Sequence, residues 1–165
     1  MEPHRGPILL VEDDPTWQTI LTSLCEGAGH VVVAAYDASA ALHHSRRLSP
    51  PPVLALVDLE LLSSAPQHPA YDGLQVLTAF RDQGIYTVVV SGNIPHAQES
   101  LVGRPEVYDL VDKYHFSKAG FGNNVFLATV HRAVAHAEAD LRAEGQLPEQ
   151  QAYLRSLSLP SNPAA

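Results

Sequence analysis

The chain is short of cysteine, of basic residues and of long apolar runs, and each shortage removes a class of function. One cysteine, Cys25, in 165 residues rules out an internal disulfide and agrees with a reducing compartment. Set in an apolar helical stripe, it reads as a small core residue rather than a nucleophile. Ten Lys and Arg against eighteen Asp and Glu leave a net charge of −8, so nucleic acid is not expected as a direct partner. No apolar run approaches the roughly 18 residues of a membrane span. The few apolar residues before Glu12 are too short for a secretory signal, and the expected location is the cytoplasm. The nine histidines offer no helical zinc site: His43 and His44 are adjacent, and His131 and His136 are five apart rather than four. Nothing resembles the glycine-rich loop of a kinase ATP site.

What is present alternates between strand and helix patterns. The run Ile8-Leu9-Leu10-Val11 reads as a buried strand. Trp17, Ile20, Leu21, Leu24 and Ala28 then recur at helical spacing, and Gly27 and Gly29 end that helix. The β-branched run Val31 to Val33 is a second strand, a short helix spans about Ala38 to Leu48, and Pro50-Pro51-Pro52 breaks it. Val53 to Asp58 is the third strand, Asp72 to Phe80 a helix, Tyr86 to Val90 the fourth strand, about Pro95 to Val102 a helix, and Val107 to Val111 the fifth strand. The last helix is expected to start at a cap on Asn123 or Asn124 and to turn Phe126, Val130, Val134, Ala137 and Leu141 inward. Strands separated by crossover helices imply an α/β fold, a flavodoxin-like doubly wound five-stranded parallel sheet of order 2-1-3-4-5 with helices on both faces. The expected organisation is a disordered N-terminus over 1–6, one domain over 7–144 with a long loop at 59–71, and a C-terminal tail over 145–165, partly helical between Pro148 and Leu157.

The chemistry sits where strands end. The first strand stops on Glu12-Asp13 and the third on Asp58, so a parallel sheet delivers three carboxylates to one edge, where open α/β sheets bind ligands. Two carboxylates about 5 Å apart repel by roughly 3 kcal/mol at an effective dielectric near 20, which calls for a proton or a cation among them. Oxygen ligands alone favour Mg2+ or Ca2+, and Mg2+ typically pairs one or two carboxylates with phosphate. The plainer reading, in which Glu12 and Asp13 only cap the next helix ahead of Pro15, is weakened by the second strand that ends in Asp58, and Asp13-Asp14 stands as an alternative working pair to Glu12-Asp13.

With Asp72-Gly73 opening a helix, Ser91-Gly92 after the fourth strand and Lys113 after the fifth, the chain resembles the receiver domain of two-component response regulators from about Pro7 to Ala139. The resemblance implies that Asp58 is the phosphoacceptor. It implies that Glu12, Asp13, Asp58 and the backbone carbonyl of Glu60 form the Mg2+ site, Glu12 mainly through metal-bound water, and that Lys113 and Ser91 contact phosphoryl oxygens. It further implies a sensor histidine kinase or phosphotransfer protein as donor, a downstream protein target, and homodimers through the last helix. Catalysis would be limited to self-catalysed phosphotransfer to, and hydrolysis from, Asp58. Past Ala139 too few residues remain for an effector domain, so output is expected through protein contact. The sequence departs from the family's pattern in its loop 59–71, in Tyr114 where the family has proline, and in Leu110 where many receivers carry a switch aromatic, for which Tyr108 or Tyr114 would have to substitute. These departures keep open an unphosphorylated pseudo-receiver that serves as an interaction module. A haloacid dehalogenase-type enzyme is a third alternative, but it needs a second Asp where Glu60 stands.

Overall fold

The computed structural model describes residues 6–59, 73–104, 107–114 and 121–145. Among the described residues ten elements alternate: β1 (Ile8–Val11), α1 (Pro15–Gly27), β2 (Val32–Ala35), α2 (Ala38–Arg47), β3 (Leu54–Val57), α3 (Gly73–Asp82), β4 (Tyr86–Ser91), α4 (Ile94–Ser100), β5 (Val107–Asp112) and α5 (Phe121–Gly145). The strands form one parallel sheet in the order β2-β1-β3-β4-β5, the expected doubly wound order.

Strands of a sheet covered on both faces lack polar positions, and every residue of β1 and β3 is buried. Alternate side chains feed two separate cores. Ile8, Leu10, Leu54, Leu56, Val88 and Val90 meet Leu21 and Cys25 of α1 and Phe126, Val130, Ala133, Val134 and Ala137 of α5. Leu9, Val11, Ala55, Val57 and Val89 meet Ala38 and Ala41 of α2, Val76, Leu77 and Phe80 of α3 and Ala97 of α4. Cys25 is buried, as expected. Asp14 caps α1: its carboxylate accepts from the backbone N–H of Thr16 at 2.8 Å and of Trp17 at 3.1 Å, and Pro15 fills the first turn. Gly29 leaves the helix at φ +92°, a conformation favouring glycine.

Four details differ from the sequence expectation. β2 runs Val32–Ala35 rather than Val31–Val33, because its register is set by β1, with Ile8 opposite Val32 and Val11 opposite Ala35; Val31 is left exposed. Ile20 is 38% exposed on the flank of α1, while Gln18 is buried and donates from Nε2 to the Glu12 carbonyl. α5 is already helical at Phe121, so neither Asn123 nor Asn124 is its cap; a polar pair on the outer side of a first turn reads in sequence like a cap. In β5, Thr87 pairs Val107 but Val88 pairs Asp109, so Tyr108 is an extra residue, a β-bulge. The bulge inverts the alternation: Tyr108 packs toward α5, whereas Leu110 packs on the α2–α4 side. The loop expected over 59–71 lies, apart from Leu59, outside the described residues, as do 1–5 of the N-terminus and 146–165 of the tail.

Candidate functional site at the carboxyl edge of the sheet

β1 and β3 are neighbours in register, Val11 opposite Val57, so the residues that follow them emerge side by side. The Asp58 N–H donates to Val11 O and the Glu12 N–H to Ala35 O, both at 3.0 Å, which fixes both backbones to the sheet edge. Glu12, Asp13 and Asp58 each present a carboxylate oxygen within 4.8 Å of the others. Gly73 lets α3 approach closely: a Cβ there would lie 2.6 Å from Leu59 Cα and 2.7 Å from Asp58 O. The Asp72-Gly73 signal thus has a steric cause, since a side chain at 73 would push on the backbone that carries Asp58.

Lys113 arrives from the end of β5 and closes the cluster. Its Nζ lies 2.6 Å from Glu12 Oε2 and 3.0 Å from Asp58 Oδ2, and the three side chains are almost fully buried. Burial pushes the Glu12 carboxyl up from 4.5 to about 7; the Asp58 charge acts in the same direction, and Lys113 opposes both. For Lys113, burial works against the ammonium, but the hydrogen bond to Glu12 and the charge of Asp58 outweigh it and raise its pKa above the usual value. The lysine remains a cation.

The cluster forms the floor of a cleft of about 390 Å³ lined by Glu12, Asp13, Asp14, Pro15, Trp17, Asp58, Gly92, Lys113 and Tyr114. Four of the residues expected from the sequence, Glu12, Asp13, Asp58 and Lys113, are therefore brought together. Ser91, at the end of β4, is buried, and its hydroxyl is engaged in a local turn: it accepts from the Asn93 N–H at 3.1 Å and lies 3.4 Å from Asn93 O. Glu60 lies outside the described residues. Of the two aromatic residues lining the cleft, Trp17 has no site role in the sequence reading, and Tyr114 enters it only as a departure from the family's proline and a candidate switch ring. Trp17 reads as part of the apolar stripe of α1, and only its position three residues after the Asp14 cap places it at the rim. Tyr114 stands at the mouth, where a Cβ on Gly92 would meet its ring at 3.7 Å.

Three carboxylates on a solvent-open cleft make an all-oxygen donor set, and the residues fit a hard divalent cation such as Mg2+.

No sequence-family profile and no curated protein matches the chain. Solved structures do. A sensor protein from Polaromonas sp. JS666 is 26% identical with a TM-score of 0.64, and the match covers 81% of this chain and 98% of that one. The N-terminal domain of a response regulator/sensory box/GGDEF 3-domain protein from Carboxydothermus hydrogenoformans is 24% identical, TM-score 0.65, over 82% and 99%. A CheY-like response regulator receiver domain protein from Methanospirillum hungatei JF-1 is 20% identical, TM-score 0.63, over 82% and 98%. With its acidic cluster and lysine at the carboxyl edge of a 2-1-3-4-5 sheet, the chain has the fold of the response-regulator receiver domain.

Proposed function

We propose that this protein is a phosphoacceptor response regulator of a two-component phosphorelay, taking a phosphoryl group on Asp58 and signalling through protein contact. The observation that carries this reading is the placement of Lys113 Nζ against both Glu12 and Asp58, with Asp13 alongside, at the floor of an open cleft. A carboxylate becomes a competent nucleophile toward phosphorus when the charge of the transferring group is neutralised around it. Glu12, Asp13 and Asp58 would hold Mg2+, with the Glu60 carbonyl as a further ligand, and the ion would supply that neutralisation. Asp58 attacks phosphorus in line with the leaving nitrogen of a phosphohistidine, the P–N bond breaks and the P–O bond forms. Lys113 acts as a point charge on one phosphoryl oxygen. Ser91, once its hydroxyl leaves the Asn93 turn, donates to another. The donor in this reading is a sensor histidine kinase or phosphotransfer protein in the cytoplasm, and the receiver spans 7–144. Intact mass after incubation with acetyl phosphate and Mg2+, for wild type and Asp58→Asn, tests it.

A second reading, the unphosphorylated pseudo-receiver, is favoured by the path out of the site. The Ser91 hydroxyl is occupied by Asn93, and Leu110 packs into a core. Tyr108 does not substitute as a switch ring, since the bulge turns it toward Tyr86 and His136 on the α5 side. A Mg2+ titration separates the two: a phosphoacceptor binds the ion and loses it on Asp58→Asn, whereas a scaffold has no need to bind it.

A further inference from the structure

We propose that Trp17 is a positioning residue for Lys113, an aromatic seat that keeps the ammonium at the cleft when a divalent ion takes its carboxylate partners. The proposal rests on the function proposed above, because it concerns what the lysine does when the acidic cluster is filled.

Among the described residues, Lys113 Nζ has three neighbours of two kinds. Glu12 and Asp58 hold it through charge at 2.6 and 3.0 Å, and the Trp17 ring holds it at 5.3 Å from the centroid, inside the roughly 6 Å reach of a cation–π contact. The two carboxylates are the groups a metal ion would claim, so lysine and ion compete for the same oxygens. The indole face is the neighbour that the ion does not claim. It is also a fixed wall: the backbone N–H of Trp17 donates to the Asp14 carboxylate at 3.1 Å, and the side chain packs against the α1–α5 core. The lysine side chain is only 8% exposed, so the contact is desolvated, the condition under which a cation–π pair is strongest. Without the ring, an ammonium displaced from Glu12 and Asp58 has water as its alternative, and the cleft loses the cation meant for the phosphoryl oxygen. Tryptophan offers the strongest ring for this purpose, Phe a weaker one of the same kind, and leucine fills volume with no attraction for a cation.

The test is a double-mutant cycle read by calorimetric Mg2+ binding to the full chain. With Lys113 present, Trp17→Leu is expected to lower Mg2+ affinity by about fivefold, because the ammonium released from Glu12 and Asp58 closes on the ring and the contact is stronger in the ion-bound state than in the metal-free one, and Trp17→Phe to stay within about twofold of wild type. In a Lys113→Ala background, Trp17→Leu is expected to change nothing further. Equal losses in both backgrounds would show that Trp17 merely supports the fold, and no loss with Lys113 present would show that the ring holds the ammonium no more firmly with the ion bound than without it; either overturns the proposal. A second reading needs no phosphorylation. The side-chain methylene protons next to Lys113 Nζ should resonate upfield of their random-coil position, in the ring's shielding cone, in both the metal-free and the Mg2+-saturated protein, and should lose that shift in Trp17→Leu. A shift that disappears when Mg2+ is added means the ammonium leaves the indole, against the proposal. A wild-type chain that takes up no Mg2+ defeats the proposed function, and the seat is then refuted separately by methylene protons at their random-coil position in the metal-free protein.

Discussion

Replacing Glu12 by glutamine tests the electrostatics of the site through stability. Glu12 is 1% exposed, and burial, with Asp58 beside it, raises its carboxyl from 4.5 to about 7. Between those values the folded protein keeps a proton on Glu12 that the unfolded chain has released, so the folded state binds more protons. Unfolding free energy therefore falls as pH rises. The contribution is fully present below pH 4.5, is lost through the folded pKa near 7, and amounts to about 3 kcal/mol at 1.36 kcal/mol per pH unit. Glutamine has the shape of the protonated acid and no proton to lose. The Glu12→Gln protein should match wild type near pH 4.5 and exceed it by about 3 kcal/mol at pH 8, in metal-free buffer. Urea unfolding of both proteins at half-unit pH steps measures the difference directly, and the comparison cancels the histidines common to both. Parallel pH curves for the two proteins would refute the reasoning, because they would mean that the Glu12 carboxyl titrates alike in the folded and the unfolded chain.

Other consequences follow from the same geometry. Mg2+ affinity should rise with pH up to about 7 and then level off, since the ion needs Glu12 deprotonated; binding should release close to one proton per ion at pH 6, readable from the dependence of calorimetric heat on buffer ionisation. Gly73→Ala should destabilise the fold by about 1–3 kcal/mol through overpacking and weaken Mg2+ binding as well, because the added Cβ presses on Asp58 O; loss of stability with unchanged Mg2+ affinity would contradict that coupling. Asp14→Ala removes the cap of α1 and should cost about 1 kcal/mol in urea unfolding. Phe126→Ala, which empties a fully buried position between α5 and the sheet, should cost about 3–5 kcal/mol, without abolishing Mg2+ binding under native conditions.

The fold was legible because two periods rarely coexist by chance. Buried apolar strands such as Ile8–Val11 and Leu54–Val57, separated by helical stripes, leave few arrangements once crossovers are right-handed. Glu12, Asp13 and Asp58 were legible for the same reason: a residue after the last apolar position of a parallel strand sits at the ligand-binding edge whatever its side chain. Lys113 was harder, since its orientation depends on the bulge at Tyr108, and no local signal marks one residue too many in a strand. Trp17 was hidden by its dual character, an apolar side chain on a core-facing helix whose indole also lies under the lysine. Ser91 was legible as a position but not as a rotamer, because its bond to Asn93 depends on the turn that follows β4.

The central claim is that Asp58 is a phosphoryl acceptor, and the most direct measurement is the intact mass of the protein after exposure to acetyl phosphate and Mg2+. The account predicts the mass of one added phosphoryl group on wild type, absent when Mg2+ is chelated and absent in Asp58→Asn. An unmodified wild-type protein at saturating donor, or an adduct that persists in Asp58→Asn, contradicts it.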